Sequence, residues 1–584
     1  MSEMLKAEDY ISLVRQRGSE GKTLERVFRN MLNPELFRNA YGKLYQNKGS
    51  MTPGIDGDTP DSMTLSKIDK LIETLRVGKF RWTPNRRVHI EKGQGKTRPL
   101  SLPTWKDKLV QEVMRVIMEA YYEPQFSTFS HGFRPKRGCH TALKEVSQWG
   151  GVKWFVEGDI KGCFDTIDHE LLIEIVGRKI KDARFLKLLR HLLKAGYLED
   201  WQYHRTYSGT PQGGIISPLL ANIFLNEFDQ WIETELKPTY TKGNRRKTNP
   251  AYSRLRSRIN QNRRGKKTPE QINEWKRELK QLPTRDPYDP NYRRLWYVRF
   301  ADDFLIGFIG PKAEAEKIRS RIKNRLGQMK LTLSMEKTKI THAPTERAEF
   351  LSYEITFPIH LKGNRRLAGK ATFLVPRNVI TKWKAKYQQK GKIVSHRGRV
   401  NAPLADIFKQ YDTEIRGLWQ YYQYALNASK HISHIRYMAE RALVATLCHK
   451  LRTKKTAVYR RFSYVGKRKC LGVKTEKGTQ ITFGNFTMQR SNFRDSTPIY
   501  DLIFKEYYGR RQVITRLEKG ICEIDGCESL GEEVHHIRAM KDLNKWKKRG
   551  VTPPAWVKAM MAMYRKTLIV CKRHHREIHC GQLS

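Results

Sequence analysis

The chain has 584 residues, 39% of them hydrophobic and 29% charged, with 112 Lys and Arg against 59 Asp and Glu and a formal net charge of +53. So long a chain exceeds one hydrophobic core, and about two to four domains are expected. A charge this large points to polyphosphate partners, nucleic acid ahead of an acidic membrane surface, while the lack of a long apolar run or a signal-peptide pattern leads us to expect a soluble, intracellular protein without a membrane partner.

In chain order, residues 1–75 read as helical around an unusual Gly/Pro/Asp stretch, "GSMTPGIDGD". Between 80 and 235, short β-like runs alternate with helix-like stretches, the pattern of an α/β or α+β unit. Residues 237–294 hold 18 Lys and Arg against 5 Asp and Glu and read as a basic insertion, a nucleic-acid-binding arm rather than a plain linker. After 375 the spacing turns helical: Leu404, Ile407, Phe408, Tyr411, Ile415, Leu418, Tyr422 and Leu426 share one face. The polar, basic stretch 470–515 gives no readable fold. Of eight cysteines, Cys522, Cys527, Cys571 and Cys580 cluster near the C-terminus among histidines, a pattern of metal binding in a reducing compartment.

The sharpest signal is "YVRFADDFLIGF", two adjacent aspartates, Asp302 and Asp303, between apolar strands. Burying unpaired charge costs several kcal/mol, so the pair either caps an exposed turn or holds a cation. A second apolar strand, Trp154–Val156, runs into Asp159. One sheet could bring the three carboxylates together, and oxygen ligands of this kind suit Mg²⁺, which keeps waters and takes substrate phosphates. Two such ions support phosphoryl transfer. In "HIEKGQGKTRPLSLP", Lys92 and Arg98 flank a glycine-rich turn that could fold over a triphosphate. In "GTPQGGIISPLLANIFL", the Pro211–Gly214 turn precedes a helix and allows close backbone approach to a ligand.

The order of blocks resembles that of group II intron-encoded reverse transcriptases over nearly the whole chain. "KTRPLSLPTWKDKLVQ", "SHGFRPKRGCHTAL", "VEGDIKGCFDTIDH", "GTPQGGIISPLLANIFL", "VRFADDF", "LSMEKTKI" and "EFLSYEI" match finger and palm blocks; "RGLWQYY" and "ATLCHK" match the thumb, or maturase, domain. The resemblance implies an α+β multidomain chain: a right-hand polymerase with a helical thumb that copies intron RNA into DNA and assists splicing. By the same match, Asp159, Asp302 and Asp303 are the catalytic carboxylates, with the Ile160 carbonyl assisting the metal; Phe164 stacks under the deoxyribose and crowds out a 2′-hydroxyl; Lys92 and Arg98 grip the triphosphate; Gln212 lies near nucleotide and primer; Lys337 and Lys339 form the following basic pair. Three positions depart from the family's usual residues, Phe300 for Tyr, Ser352 for Gly and Glu91 for Pro, and none removes a metal ligand.

At the C-terminus, Cys522-x4-Cys527 and Cys571-x2-His574 make two close pairs of soft ligands, a spacing that suits structural Zn²⁺. With His535-His536 and His575-x3-His579, the module resembles an HNH endonuclease threaded on a zinc knuckle, a small ββα-metal fold. The match implies that His535, His575 and His579 hold the nuclease ion, Mg²⁺ in expectation, and that His536 is the general base. The expected organisation is an RNA-binding extension (1–75), fingers and palm (76–370), thumb or maturase domain (371–465), a DNA-binding region (466–515) and the nuclease (516–584). Expected partners are the protein's own intron RNA as a lariat ribonucleoprotein, a double-stranded DNA target and deoxynucleotide triphosphates, in a bacterial nucleoid or an organelle matrix. The competing reading is a splicing-only maturase without nuclease activity.

Overall fold

The computed structural model describes residues 5–583 except 48, 94–95, 200–201, 205, 207, 211–212, 262–267, 283, 287–288, 359–368, 466–468, 476–477, 494–511 and 548–551. It is a mixed α+β, multidomain chain. Eight strands build its two largest sheets: β1 (Asn85–Gly93), β2 (Lys96–Leu102), β3 (Trp154–Asp159), β4 (Tyr197–Glu199), β5 (Gln202–His204), β6 (Arg294–Phe300), β7 (Asp303–Ile309) and β8 (Lys339–His342). One sheet has the order β2-β1-β4-β5 and the other β6-β7-β3-β8.

The second sheet lies between two cores, which explains its nearly continuous apolar strands. Along β7, Phe304, Ile306 and Phe308 enter one core while Leu305 enters the other. Along β3, Val156 and Phe155 divide in the same way. A strand covered on both faces loses the apolar–polar alternation of a half-exposed one, and each such side chain contributes about 1.5–3 kcal/mol on burial. Gly158 allows this packing: a Cβ there would lie 2.0 Å from the Phe304 ring.

The first core gathers helices Ala7–Ser19, Pro34–Leu44 and Leu65–Arg76 around the largely buried helix Trp105–Tyr122. Asn33 and Thr64 cap two of the shorter helices by accepting from the Glu35 and Lys67 amides. The second core holds the helices Leu404–Tyr422 and Ala428–Leu451. Seven of the eight residues expected on one face fall in the first of these helices. Leu426 does not: the helix ends at Tyr422, and the Leu426 amide donates instead to the Phe373 carbonyl in the strand Thr372–Leu374. Short strands Ser463–Val465, Lys469–Lys474 and Gln480–Phe483 pair antiparallel and pack on this helix through Leu471 and Phe483.

The basic insertion contains two mutually packed helices, Pro250–Gln261 and Pro269–Gln281. Leu255 is their one buried side chain among the described residues, while Arg254, Arg256 and Arg258 are exposed. Arg263 and Arg264 lie outside the described residues. No described helix is long and apolar enough to cross a membrane.

Candidate functional sites: a carboxylate cavity, a cysteine–histidine cluster and a histidine–aspartate cluster

Asp159 ends β3 directly opposite Asp303, the first residue of β7. Asp302 sits between β6 and β7, so the hairpin brings all three carboxylates to one end of the sheet. They line a cavity of about 950 Å³ with Arg98, Phe164, Phe300, Lys337 and Lys339. Desolvation, with the Asp159 charge beside it, raises the carboxyl of Asp302 above its usual range. Desolvation and the charges of Asp302 and Asp159 push that of Asp303 up to about 7. Three acids crowded this way favour a cation between them. Lys337 already places its ammonium 2.8 Å from Asp159, and that contact raises its own pKa.

The turn that presents Asp302 is held from below by groups that sequence reasoning missed. Arg299 is fully buried and forms an ion pair with Asp229, Nη2 to Oδ2 2.5 Å and Nε to Oδ1 2.8 Å. Nη2 also donates to Ser130 Oγ, and Nη1 donates to Asn222 Oδ1 and the Ala301 carbonyl. Ala301 has φ of +56°, a left-handed conformation unusual for a side-chain-bearing residue. Gly132 makes room beside it, since a Cβ there would lie 2.4 Å from the Ala301 nitrogen. An arginine inside an apolar strand was the one available signal; its partner lies 70 residues away.

Of the other expected residues, Phe164 is half-buried, with the Phe133 ring edge-on at 6.1 Å. Ile160 is buried and bridges Leu333. Arg98 pairs with Ile90 across the β1–β2 hairpin and contributes its charge to the field at Asp302. Lys92 belongs to β1, but its side chain lies outside the described set, as does Gln212.

In the C-terminal module, the strands Glu533–His536 and Thr567–Val570 pair antiparallel and lead into the helix Lys572–Cys580. Two groups of ligand atoms each lie within 4.8 Å of one another. The first is Cys522, Cys527, Cys571 and His574, a Cys₃His cluster arranged to hold a metal. Three thiols and an imidazole fit a soft, tetrahedral ion. The second is His535, His575 and His579 with a residue not foreseen, Asp61. Glu533 orients His575, with Oε2 2.5 Å from Nδ1. Asp61 Oδ2 lies 2.9 Å from His579 Nε2 and Oδ1 lies 3.3 Å from His575 Nε2. Burial works against the Asp61 charge, but the His575 hydrogen bond and nearby His535 bring its pKa down to about 2. His536 is buried, which lowers its pKa to about 4. Nothing in the sequence singled out Asp61, which lies just beyond the Gly/Pro/Asp stretch 49–58.

Comparison with known proteins gives three family matches in chain order. Residues 90–355 match the reverse transcriptase (RNA-dependent DNA polymerase) family. Residues 374–508 match the type II intron maturase family, and residues 522–575 the AI2M/AI1M-like HNH endonuclease family. The chain is 37% identical over 580 residues to the group II intron-encoded protein LtrA of Lactococcus lactis subsp. cremoris, covering 95% of each chain. It is 33% identical over 574 residues to an uncharacterized 91 kDa protein in the cob intron of Schizosaccharomyces pombe, covering 95% of this chain and 69% of that protein. A putative COX1/OXI3 intron 2 protein of Saccharomyces cerevisiae is 31% identical over 593 residues, covering 96% of this chain and 66% of that protein.

Proposed function

We propose how this chain, which belongs to the family of group II intron-encoded proteins, divides its work among its parts. The protein is multifunctional: an RNA-directed DNA polymerase, a maturase and a DNA endonuclease. A splicing-only maturase is not favoured, because both a reverse transcriptase and a nuclease family are matched. The β6-β7-β3-β8 sheet is the palm, the β1–β2 hairpin belongs to the fingers, and the helices from Leu404 to Leu451 are the thumb. The observation that carries the polymerase assignment is the meeting of Asp159, Asp302 and Asp303 in one cavity with Arg98.

In that cavity Asp159, Asp302 and the Ile160 carbonyl would hold two Mg²⁺ ions, with Asp303 beside them. Mg²⁺ there supplies Lewis-acid stabilisation of phosphoryl oxygens. Arg98 and Lys92 bind the triphosphate, and Gln212 lies near nucleotide and primer. Lys337 holds Asp159 in place and balances its charge. Phe164 closes the space beside the sugar. Phe164→Val is expected to raise ribonucleotide incorporation about tenfold or more, since loss of the ring removes a steric contact worth about 1–3 kcal/mol. Competition between dNTP and rNTP in primer extension measures this, and unchanged discrimination would reduce Phe164 to a packing residue.

In the C-terminal module, Cys522, Cys527, Cys571 and His574 would hold Zn²⁺, and His535, His575 and His579 a divalent nuclease ion, Mg²⁺ in our reading, with His536 as general base. The partners are the protein's own intron RNA in a lariat ribonucleoprotein, deoxynucleotide triphosphates and a double-stranded DNA target. Residues 1–75, the insertion and the thumb would bind RNA, with fingers and palm over 76–370 and the thumb over 371–465. Residues 466–515 would contact DNA ahead of the nuclease at 516–584. The relatives include a bacterial protein and intron proteins of two yeasts, and we read the compartment as a nucleoid or an organelle matrix.

Sequencing the RNA that co-purifies with the protein tests this reading: one structured intron RNA is expected, and a random transcript sample would overturn it. The same RNA tests the insertion. Affinity should fall steeply with salt, and replacing Arg254, Arg256 and Arg258 together by Gln should reduce the slope of log K against log salt by about 2. An unaltered slope would make the insertion a spacer.

A further inference from the structure

We infer that Asp61 is a fourth ligand of the nuclease ion, delivered by the N-terminal region, and that its docking holds the nuclease shut. The inference rests on the reading of His535, His575 and His579 as ion ligands. Asp61 is 474 residues from the first of these histidines in the chain, yet its carboxylate lies within 4.8 Å of all three ligand nitrogens. The placement is built rather than incidental. The Ser62 amide donates to Val534 and the Val534 amide donates to Met63, so the segment after Asp61 adds to the Glu533–His536 strand as an extra edge. The His536 amide donates to Asp61 Oδ1 at 2.7 Å. Tyr45 lies edge-on to the His536 ring at 5.9 Å, and Arg38 pairs with Glu518 at the same contact.

The chemistry of the set points to closure. A hydrolytic metal site must leave room on the ion for a substrate oxygen, and a protein carboxylate bound to the same ion competes for that room. Asp61 supplies the fourth ligand with an anionic oxygen, the same kind of ligand that a phosphodiester would bring. His535, His536 and His575 are only 5%, 3% and 5% exposed in this arrangement, and of the four clustered ligands His579 alone is exposed. A duplex cannot bring a phosphate to a base buried under Tyr45. The docked state is therefore one that binds the ion and excludes the substrate. Cleavage requires Asp61 and its segment to leave, with DNA phosphate taking the vacated coordination position. Because the ion binds the docked state through one more ligand, it also favours docking, and target DNA must overcome that coupling.

The test uses the full-length, zinc-replete chain titrated with Co²⁺, whose visible absorption separates imidazole-rich ligation from the all-oxygen palm site. Wild type, Asp61→Ala, Asp61→Asn and His535→Ala are compared, with cleavage of target duplex at saturating Mg²⁺ measured beside them. Asp61→Asn retains an acceptor for the His536 amide and so separates loss of a ligand from loss of docking. Both Asp61 variants should bind Co²⁺ about tenfold more weakly or worse, and Asp61→Ala should cleave severalfold faster than wild type. If His535→Ala weakens Co²⁺ but neither Asp61 variant does, Asp61 is not a ligand and the inference fails while the nuclease reading stands. If His535→Ala also leaves Co²⁺ binding unchanged, the nuclease-ion reading itself fails. If Asp61→Ala cuts more slowly at saturating metal, Asp61 is a working ligand of an open site and the closure is overturned.

Discussion

Asp302→Ala is expected to abolish cDNA synthesis, by at least about a thousandfold, while assistance to splicing stays near wild type. A thousandfold corresponds to roughly 4 kcal/mol of transition-state stabilisation, a reasonable loss when a ligand of the catalytic ions is removed. The physical basis is the crowding at the end of β3 and β7. Asp302 and Asp303 both titrate high because they are desolvated near other acids. Such a cluster is unfavourable for its own sake and has a use only when a cation offsets it. Removing one acid should therefore not harm the fold, since it relieves repulsion and leaves the Arg299–Asp229 pair beneath the turn intact. In our reading the intron RNA is held by the N-terminal extension, the insertion and the thumb, none of which includes Asp302. Primer extension on an RNA template and splicing in the same preparation read the two activities separately. Undiminished extension would refute the active-site assignment, and joint loss of both activities with a lowered Tm would show that Asp302 is structural.

The two sites were legible to different degrees, for a physical reason. Asp159, Asp302 and Asp303 stood out because acids at strand ends are conspicuous against apolar runs, and antiparallel pairing places strand ends together. Cys522, Cys527, Cys571 and His574 stood out because close ligand pairs carry their geometry in their spacing. Arg299 and Asp229 did not, because a buried ion pair formed across 70 residues has no local pattern. Asp61 was invisible for the same reason, since only the packing of the N-terminal region against the Glu533–His536 strand places it there. The strands from Ser463 to Phe483 were unreadable because they are short and bury little: Leu471 and Phe483 are their fully buried apolar residues among those described. Local sequence carries periodicity and ligand spacing, whereas contacts between distant segments are set by the tertiary fold.

His574→Ala is expected to release zinc and unfold the C-terminal module, whereas His574→Cys should retain both metal and fold. The module's own core is small, built on Cys522, Ile524, Leu543, Val557, Met560, Leu568, Val570, Cys571 and Ile578. Two of these, Cys522 and Cys571, belong to the proposed zinc site, so metal binding and core packing would be coupled. Domains this small depend on a staple, and structural zinc contributes about 10–16 kcal/mol of apparent binding free energy in comparable peptides. The His574 ring sits 3.4 Å from Cys522 Sγ, and the Cys571 thiol caps the helix that carries His574. Loss of the imidazole thus removes one of the four ligands from a cluster in which Cys522 and Cys571 are both buried. With the tetrahedral set incomplete, the remaining three thiols would hold metal more weakly. Cysteine restores a soft donor of the right type, although its shorter reach requires a small shift of the helix. His536→Ala is the contrasting variant, with zinc and fold kept and DNA cleavage lost. Primer extension should persist in all three, because its ligands lie in another sheet. Zinc content, amide exchange across residues 516–583 and plasmid cleavage, measured side by side, decide the matter. Full zinc occupancy and a protected module in His574→Ala would place the fourth ligand elsewhere, with exposed Cys580 the next candidate, and would undo the division of histidines between the two sites.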